Sequence, residues 1–187
     1  MNRVYLDLET TGLNPDIHEI IECAVIYDDD TPSYHRFIRP NRIEFADKVA
    51  LKINRFHERA EEWNQAISQC DFAFELAGLL KNKIIIGHNP FFDYSFIKEL
   101  FEHYGEGTPK NQLIDTKTLA FEHLYDIGLK RLSLDSIRVF MGWSLSNNHT
   151  ALKDAHDTKM LYTVLSRASF FDRLKWKIKA KRKTILK

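Results

Sequence analysis

Residues 3–9 alternate between two faces, with Val4, Leu6 and Leu8 on one and Tyr5, Asp7 and Glu9 on the other. That period of two predicts a β-strand with one face turned to a core. Thr10-Thr11-Gly12 and Asn14-Pro15 then predict a turn. Residues 19–27 and 33–39 read as a second and third strand, and the acidic, proline-ended run Asp28–Pro32 between them predicts a hairpin. Residues 44–81 read as mostly helical. The clearest part is Ala66–Leu80, where Ile67, Cys70, Phe74, Ala77 and Leu80 approximate one apolar face. Ile84-Ile85-Ile86 is a short β-branched run of the kind buried on both sides. Asn89-Pro90 predicts a helix start, with asparagine as N-cap and proline first in the helix. That helix turns Phe92, Phe96, Ile97, Leu100 and Phe101 inward. A short strand at 112–115 and helices near 116–124, 133–141 and 150–167 complete the chain. Strands first, then strand–helix alternation, predict an α/β sheet with helices packed on it.

Charge changes this picture at one end. The chain has 187 residues, 44% hydrophobic and 28% charged, with a formal net charge of +1. This suits one soluble globular domain with a real core. Eight of its 27 Lys and Arg lie in Arg173–Lys187, which holds no acid, so residues 1–172 carry 19 bases against 26 acids. We therefore divide the chain into a domain at 1–170 and a basic tail at 171–187. An acidic body beside a basic patch suits a metal-binding cleft near a surface that attracts phosphates. Such a tail also suits a protein partner or a solvated end. Cys23 and Cys70 have neither CxxC nor zinc-ligand spacing and read as buried thiols of a reducing compartment. The N-terminal run lacks a signal-peptide pattern, and no apolar run reaches membrane-spanning length. The expectation is a cytoplasmic protein with no membrane partner.

Three separated stretches carry candidate chemistry. Asp7 and Glu9 stand two apart on a strand, so their carboxylates share a face. Half-burying two like charges is costly unless a cation neutralises them, and hard divalent cations take carboxylate oxygens. The same pattern also suits an edge strand with a solvated polar face. Asp93 falls in the first turn of the helix that follows a buried strand, where the helix end favours an anion and helps keep it ionised. It also suits a plain helix-end acid. Asp154 falls early in the last long helix of the domain. His149, five residues earlier, cannot share a helical face with it, so it is placed in the preceding loop, leaning toward the same site. A surface or capping histidine is the alternative. His156 and Asp157 read as solvated.

These stretches, Asp7-Leu-Glu9-Thr10-Thr11-Gly12, His88-Asn89-Pro90-Phe91-Phe92-Asp93 and His149-Thr-Ala151-Leu-Lys-Asp154-Ala155, resemble the three motifs of the DEDDh exonuclease superfamily. Its members include the proofreading epsilon subunit of bacterial DNA polymerase, ribonuclease T, oligoribonuclease and exonuclease X. Leu113-Ile-Asp115-Thr116 and Leu132-Ser-Leu134-Asp135 resemble the segment between its second and third motifs. The resemblance spans about residues 3–165. The segment Ala50–Trp63 and the tail after Phe171 depart from it.

The resemblance implies an RNase H-like fold, a five-stranded mixed sheet with the second strand antiparallel, flanked by helices. It implies 3'→5' removal of 5'-mononucleotides from a nucleic acid with a free 3' end, single-stranded DNA or RNA in preference. Two divalent cations, Mg²⁺ or Mn²⁺, would be held by Asp7, Glu9, Asp93 and Asp154, with Asp7 bridging and His149 as general base. Glu9 and the backbone at Thr10 would bind the 3'-hydroxyl. Leu13 would wedge against the terminal base, Phe91 would stack and Asn89 would line the substrate. Phe92 and Trp143 are expected to pack instead. The rival reading is a non-catalytic nucleic-acid-binding or polymerase-associated module of the same fold. A phospho-aspartate phosphatase fits worse, because its second acid would be Asp rather than Glu9, and a PIN-type nuclease has no need of His149.

Overall fold

The computed structural model describes residues 2–146 and 149–185. Within these residues five strands form one sheet: β1 (Arg3–Thr10), β2 (Ile20–Tyr27), β3 (Tyr34–Phe37), β4 (Ile84–Gly87) and β5 (Gln112–Asp115). Their order is β3-β2-β1-β4-β5. β2 runs antiparallel to β1 and β3, whereas β1, β4 and β5 are parallel. The sheet is thus mixed, with the second strand antiparallel, as expected.

Among the described residues, seven α-helices accompany it: α1 (Lys48–Ile53), α2 (Gln69–Leu80), α3 (Pro90–Tyr104), α4 (Thr116–Ala120), α5 (Leu134–Met141), α6 (Ala151–Ser166) and α7 (Phe170–Ile185). The alternation in β1 sorts the helices between the two faces. Val4, Leu6 and Leu8 bury against Phe72, Leu76 and Leu80 of α2 and Phe96, Ile97 and Phe101 of α3. On the other face Tyr5, Ala24, Ile26 and Ile86 meet Ala151 and Ala155 of α6. The alanines on both sides let that helix approach the sheet closely. A separate cluster joins Leu124, Leu134, Ile137, Phe140, Leu161 and Leu165, with Trp143 packed against it as expected.

Several local expectations are corrected. The helix read at Ala66–Leu80 begins at Gln69 and buries Phe72, Ala73, Leu76 and Leu80, leaving Phe74 72% exposed. Ile67 instead bridges to Ile38 beside the sheet. Cys23 is buried but Cys70 is exposed, because it lies on the solvent side of α2. Asn89 precedes α3 in left-handed conformation (φ 71°), and its side chain makes no capping bond. Asparagine tolerates that conformation better than most residues, which is its role here. Gly87 is needed for close approach: a Cβ there would stand 2.8 Å from Pro90 Cβ.

The basic tail is helical as α7 through Ile185. Trp176 and Ala180 pack onto the second cluster, while Phe170, Phe171, Leu174 and Ile178 are exposed. The tail's last two residues lie outside the described ones. Among the described residues, no helix is long and apolar enough to cross a membrane.

Candidate active site

Asp7 and Glu9 project from β1 toward the face covered by α6. Two features shape the end of that strand. The pairing of β1 with β4 ends at Tyr5, and the pairing with β2 is irregular between Glu9 and Thr10. Such an irregularity re-aims side chains and is common beside active sites. From above, Ala151 and Ala155 seat α6 on the sheet, which delivers Asp154 to the same place. One oxygen each from Asp7, Glu9 and Asp154 lies within 4.8 Å of the others.

Asp93 stands beside this triad rather than in it. Its Oδ1 accepts a hydrogen bond from the Leu8 backbone N–H at 3.0 Å, on the stretch of β1 that no longer pairs with β4. Its charge still raises the Asp7 pKa.

Burial is the largest cause pushing Asp7 and Glu9 well above the usual carboxylate range, and the neighbouring acids add to it. Asp93 is pushed up to about 7 by burial, against the pull of backbone hydrogen bonds. The helix end and the Leu8 N–H thus favour the Asp93 anion, as expected, while desolvation works against them. Burial also raises Asp154, although Arg138 and His149 pull it back down.

His149 lies in the loop before α6, with φ 60°. Its Nε2 is 3.5 Å from Asp135 Oδ2, on α5. Thr10 is buried, and its Oγ1 donates to the Gly12 carbonyl at 2.6 Å. Leu13, on the turn after β1, is 76% exposed, and Phe91, in the first turn of α3, is 66% exposed. The Asn89 backbone N–H donates to Asp115 Oδ1 at 2.9 Å.

Sequence reading missed several charged groups here. Glu22 is the register partner of Glu9 and is fully buried. Arg59 Nη2 pairs with it at 2.9 Å, and His35 Nε2 lies 2.9 Å from its other oxygen. Asn54 Nδ2 donates to the Thr10 carbonyl at 3.1 Å. Both Arg59 and Asn54 come from the segment 50–63 that departs from the motif pattern. Asp157 is buried rather than solvated, because Arg138 and Lys153 both donate to it. Arg138 is itself buried, between α5 and α6. The readable signal was its spacing: it falls four residues after Leu134 and one after Ile137, on the inward side of an amphipathic helix.

This sheet order, with an acidic cluster at the end of its central strand, defines an RNase H-like nuclease fold. The chain belongs to the exonuclease family RNase_T, whose family model matches residues 4–162. The PolC-type DNA polymerase III of Thermotoga petrophila is 32% identical over 162 residues, covering 85% of this chain and 11% of that protein. The 3'-5' exonuclease DinG of Staphylococcus haemolyticus is 28% identical over 168 residues, covering 83% of this chain and 17% of that protein. The chain thus spans about a tenth to a sixth of the length of these relatives. E. coli exonuclease I in complex with a dT13 oligonucleotide shares the fold at TM-score 0.74 and 18% identity, over 88% of this chain and 40% of its own.

Proposed function

We propose that this chain is a metal-dependent 3'→5' exonuclease that releases 5'-mononucleotides from single-stranded DNA or RNA with a free 3' end. The observation that carries the reading is the convergence of Asp7, Glu9 and Asp154 within 4.8 Å, in surroundings that penalise their charge. Buried oxygen donors of one sign fit hard divalent cations, so Mg²⁺ or Mn²⁺ suits the residues present. Asp7, Glu9, Asp93 and Asp154 would hold two such ions, with Asp7 serving both. Bound there, the ions would lower the pKa of the attacking water and neutralise charge growing on the scissile phosphate.

The remaining work belongs to the side chains. His149 accepts the proton from the attacking water, and Asp135 beside it holds the imidazole in place. Glu9 and the backbone at Thr10 take the terminal 3'-hydroxyl, which limits cleavage to chain ends. Leu13 and Phe91, exposed large apolar groups close in sequence to Glu9 and Asp93, would offer surfaces for the last bases. Asn89, just before α3, would line the same nucleic-acid strand. The DNA-polymerase and exonuclease names of the relatives, and the oligonucleotide bound to exonuclease I, support a DNA substrate and this polarity. The exposed Phe170, Phe171, Leu174 and Ile178 of basic α7 offer a surface for a protein partner.

The test is a panel of end-labelled DNA and RNA oligonucleotides, with 3' ends free or blocked, incubated with Mg²⁺ or EDTA. Mononucleotides should appear only from free ends and only with metal. Digestion of blocked strands at the free-end rate would refute the polarity, and no release under any condition would leave a binding module. Within this reading, His149→Gln is expected to lower kcat by about 100-fold with little change in KM. Steady-state kinetics on the preferred strand checks it, and a kcat within threefold of wild type removes His149 as the base.

A further inference from the structure

Arg138 occupies an inward position on α5 where an apolar residue would pack at less cost. Its guanidinium is fully buried and donates to three carboxylates. Nε donates to Asp157 Oδ2 at 2.6 Å, Nη1 to Asp135 Oδ1 at 2.8 Å and Nη2 to Asp154 Oδ1 at 2.6 Å. Taking this many charges out of water is expensive, and such clusters are often no more stabilising than a well-packed apolar substitute. Stability alone therefore explains the arrangement poorly.

What the three acids do is more telling. Asp154 shares its carboxylate between Arg138 and the Asp7–Glu9–Asp154 triad. Asp135 gives one oxygen to Arg138 and holds the other 3.5 Å from His149 Nε2. Asp157, one helical turn beyond Asp154 on α6, takes the third edge of the guanidinium and is gripped by Lys153 as well. Arg138 thus touches a triad acid and the partner of the histidine in one rigid plane, while Asp157 anchors it to α6.

We infer that Arg138 is a positioning residue of the active site, fixing Asp154 for metal and, through Asp135, His149 for the attacking water. The inference rests on the exonuclease reading above. A guanidinium suits the task because its donors have a fixed planar geometry, whereas a lysine ammonium of the same charge is a single point. Partners that orient metal ligands typically matter by about 10–100-fold in metal affinity or rate.

Arg138→Lys is therefore the deciding variant, since it keeps the charge and removes the fork. Two readouts are taken well below its melting temperature. Mn²⁺ affinity is measured by electron paramagnetic resonance without nucleic acid. Values of kcat and KM are measured at saturating Mn²⁺ on a 3'-labelled strand. We expect Mn²⁺ binding about 10-fold weaker or more, kcat lower by about 10–100-fold and KM within twofold of wild type. Asp157→Asn tests the point by a second route: it leaves Arg138 and Asp154 in place but loosens the anchor, and should shift Mn²⁺ affinity and kcat the same way by about threefold or more. If Arg138 only ties α5 to α6, both variants will melt earlier yet keep wild-type Mn²⁺ affinity and kcat, and the inference is overturned. A wild-type protein that neither binds Mn²⁺ nor digests a free 3' end would instead bring down the exonuclease reading, and this one with it.

Discussion

Asp7→Asn is expected to cut hydrolysis by roughly a thousandfold or more while raising the melting temperature of the metal-free protein. The two effects have one cause. Asp7 is held beside Glu9, Asp93 and Asp154 where burial penalises its charge. The amide has nearly the same shape and no charge, so without metal the substitution relieves repulsion that the fold otherwise carries. With metal the same change removes an anionic ligand from the centre of the site. Cations of this kind supply several kcal/mol of transition-state stabilisation, which is a factor of about 10³ or more in rate. A residue that merely supported the strand would lose activity and stability together. Asp154→Ala supplies the contrast: it should also abolish activity, but it strips buried Arg138 of one of its three carboxylates and so should melt lower. Thermal melts in EDTA and mononucleotide release in Mg²⁺ measure both. An Asp7→Asn protein that keeps a tenth of the activity, or melts below wild type in EDTA, contradicts the assignment of Asp7.

Much of this site was legible because strand alternation and motif order are local properties. The period of two in Val4–Glu9 placed both acids on one face, and α6 crosses that face. Placing His149 just outside a helix that contains Asp154 likewise followed from helical geometry alone. The phase of α2 went astray for an identifiable reason. Ile67 was counted into its apolar face, although Ser68 and Asp71 form a helix-start pair in which the Ser68 side chain accepts from the Asp71 N–H. That cap fixes the start, and the buried set becomes Phe72, Ala73, Leu76 and Leu80. The charged residues around the triad were not legible for a different reason. Spacing hints at the inward position of Arg138, but Glu22, Arg59, Arg138 and Asp157 each gain a partner from another element, and no period within one segment reports such a pairing. The same holds for Asp93, whose helix position favours an anion while its tertiary burial opposes one.

That last conflict sets the pH dependence of the fold. A carboxyl whose pKa is higher in the native state than in the unfolded chain holds its proton more tightly when folded. The metal-free protein should therefore gain stability as pH falls from about 7 toward 4, and lose it as pH rises through the same window. Asp93, carried from an ordinary value near 3.9 to about 7 among interacting acids, brings a change on the order of 4 kcal/mol to the group. Asp7 and Glu9 act in the same direction. Against the 5–15 kcal/mol typical of whole domains this is a large fraction. In EDTA we therefore expect a melting temperature several degrees lower at pH 8 than at pH 5.5, the reverse of a protein held by ordinary salt-bridged acids. Mg²⁺ or Mn²⁺ should invert the order, because cations bind the ionised acids and stabilise only the folded state, by about 2.7 kcal/mol at a hundred times the dissociation constant. The Asp7→Asn protein should show a shallower slope in EDTA and a weakened response to metal. A wild-type melting temperature that is flat or rises between pH 5.5 and 8 in EDTA would mean that burial and neighbouring charge do not penalise the carboxylates, and the case for a cation-dependent centre would lose its electrostatic basis.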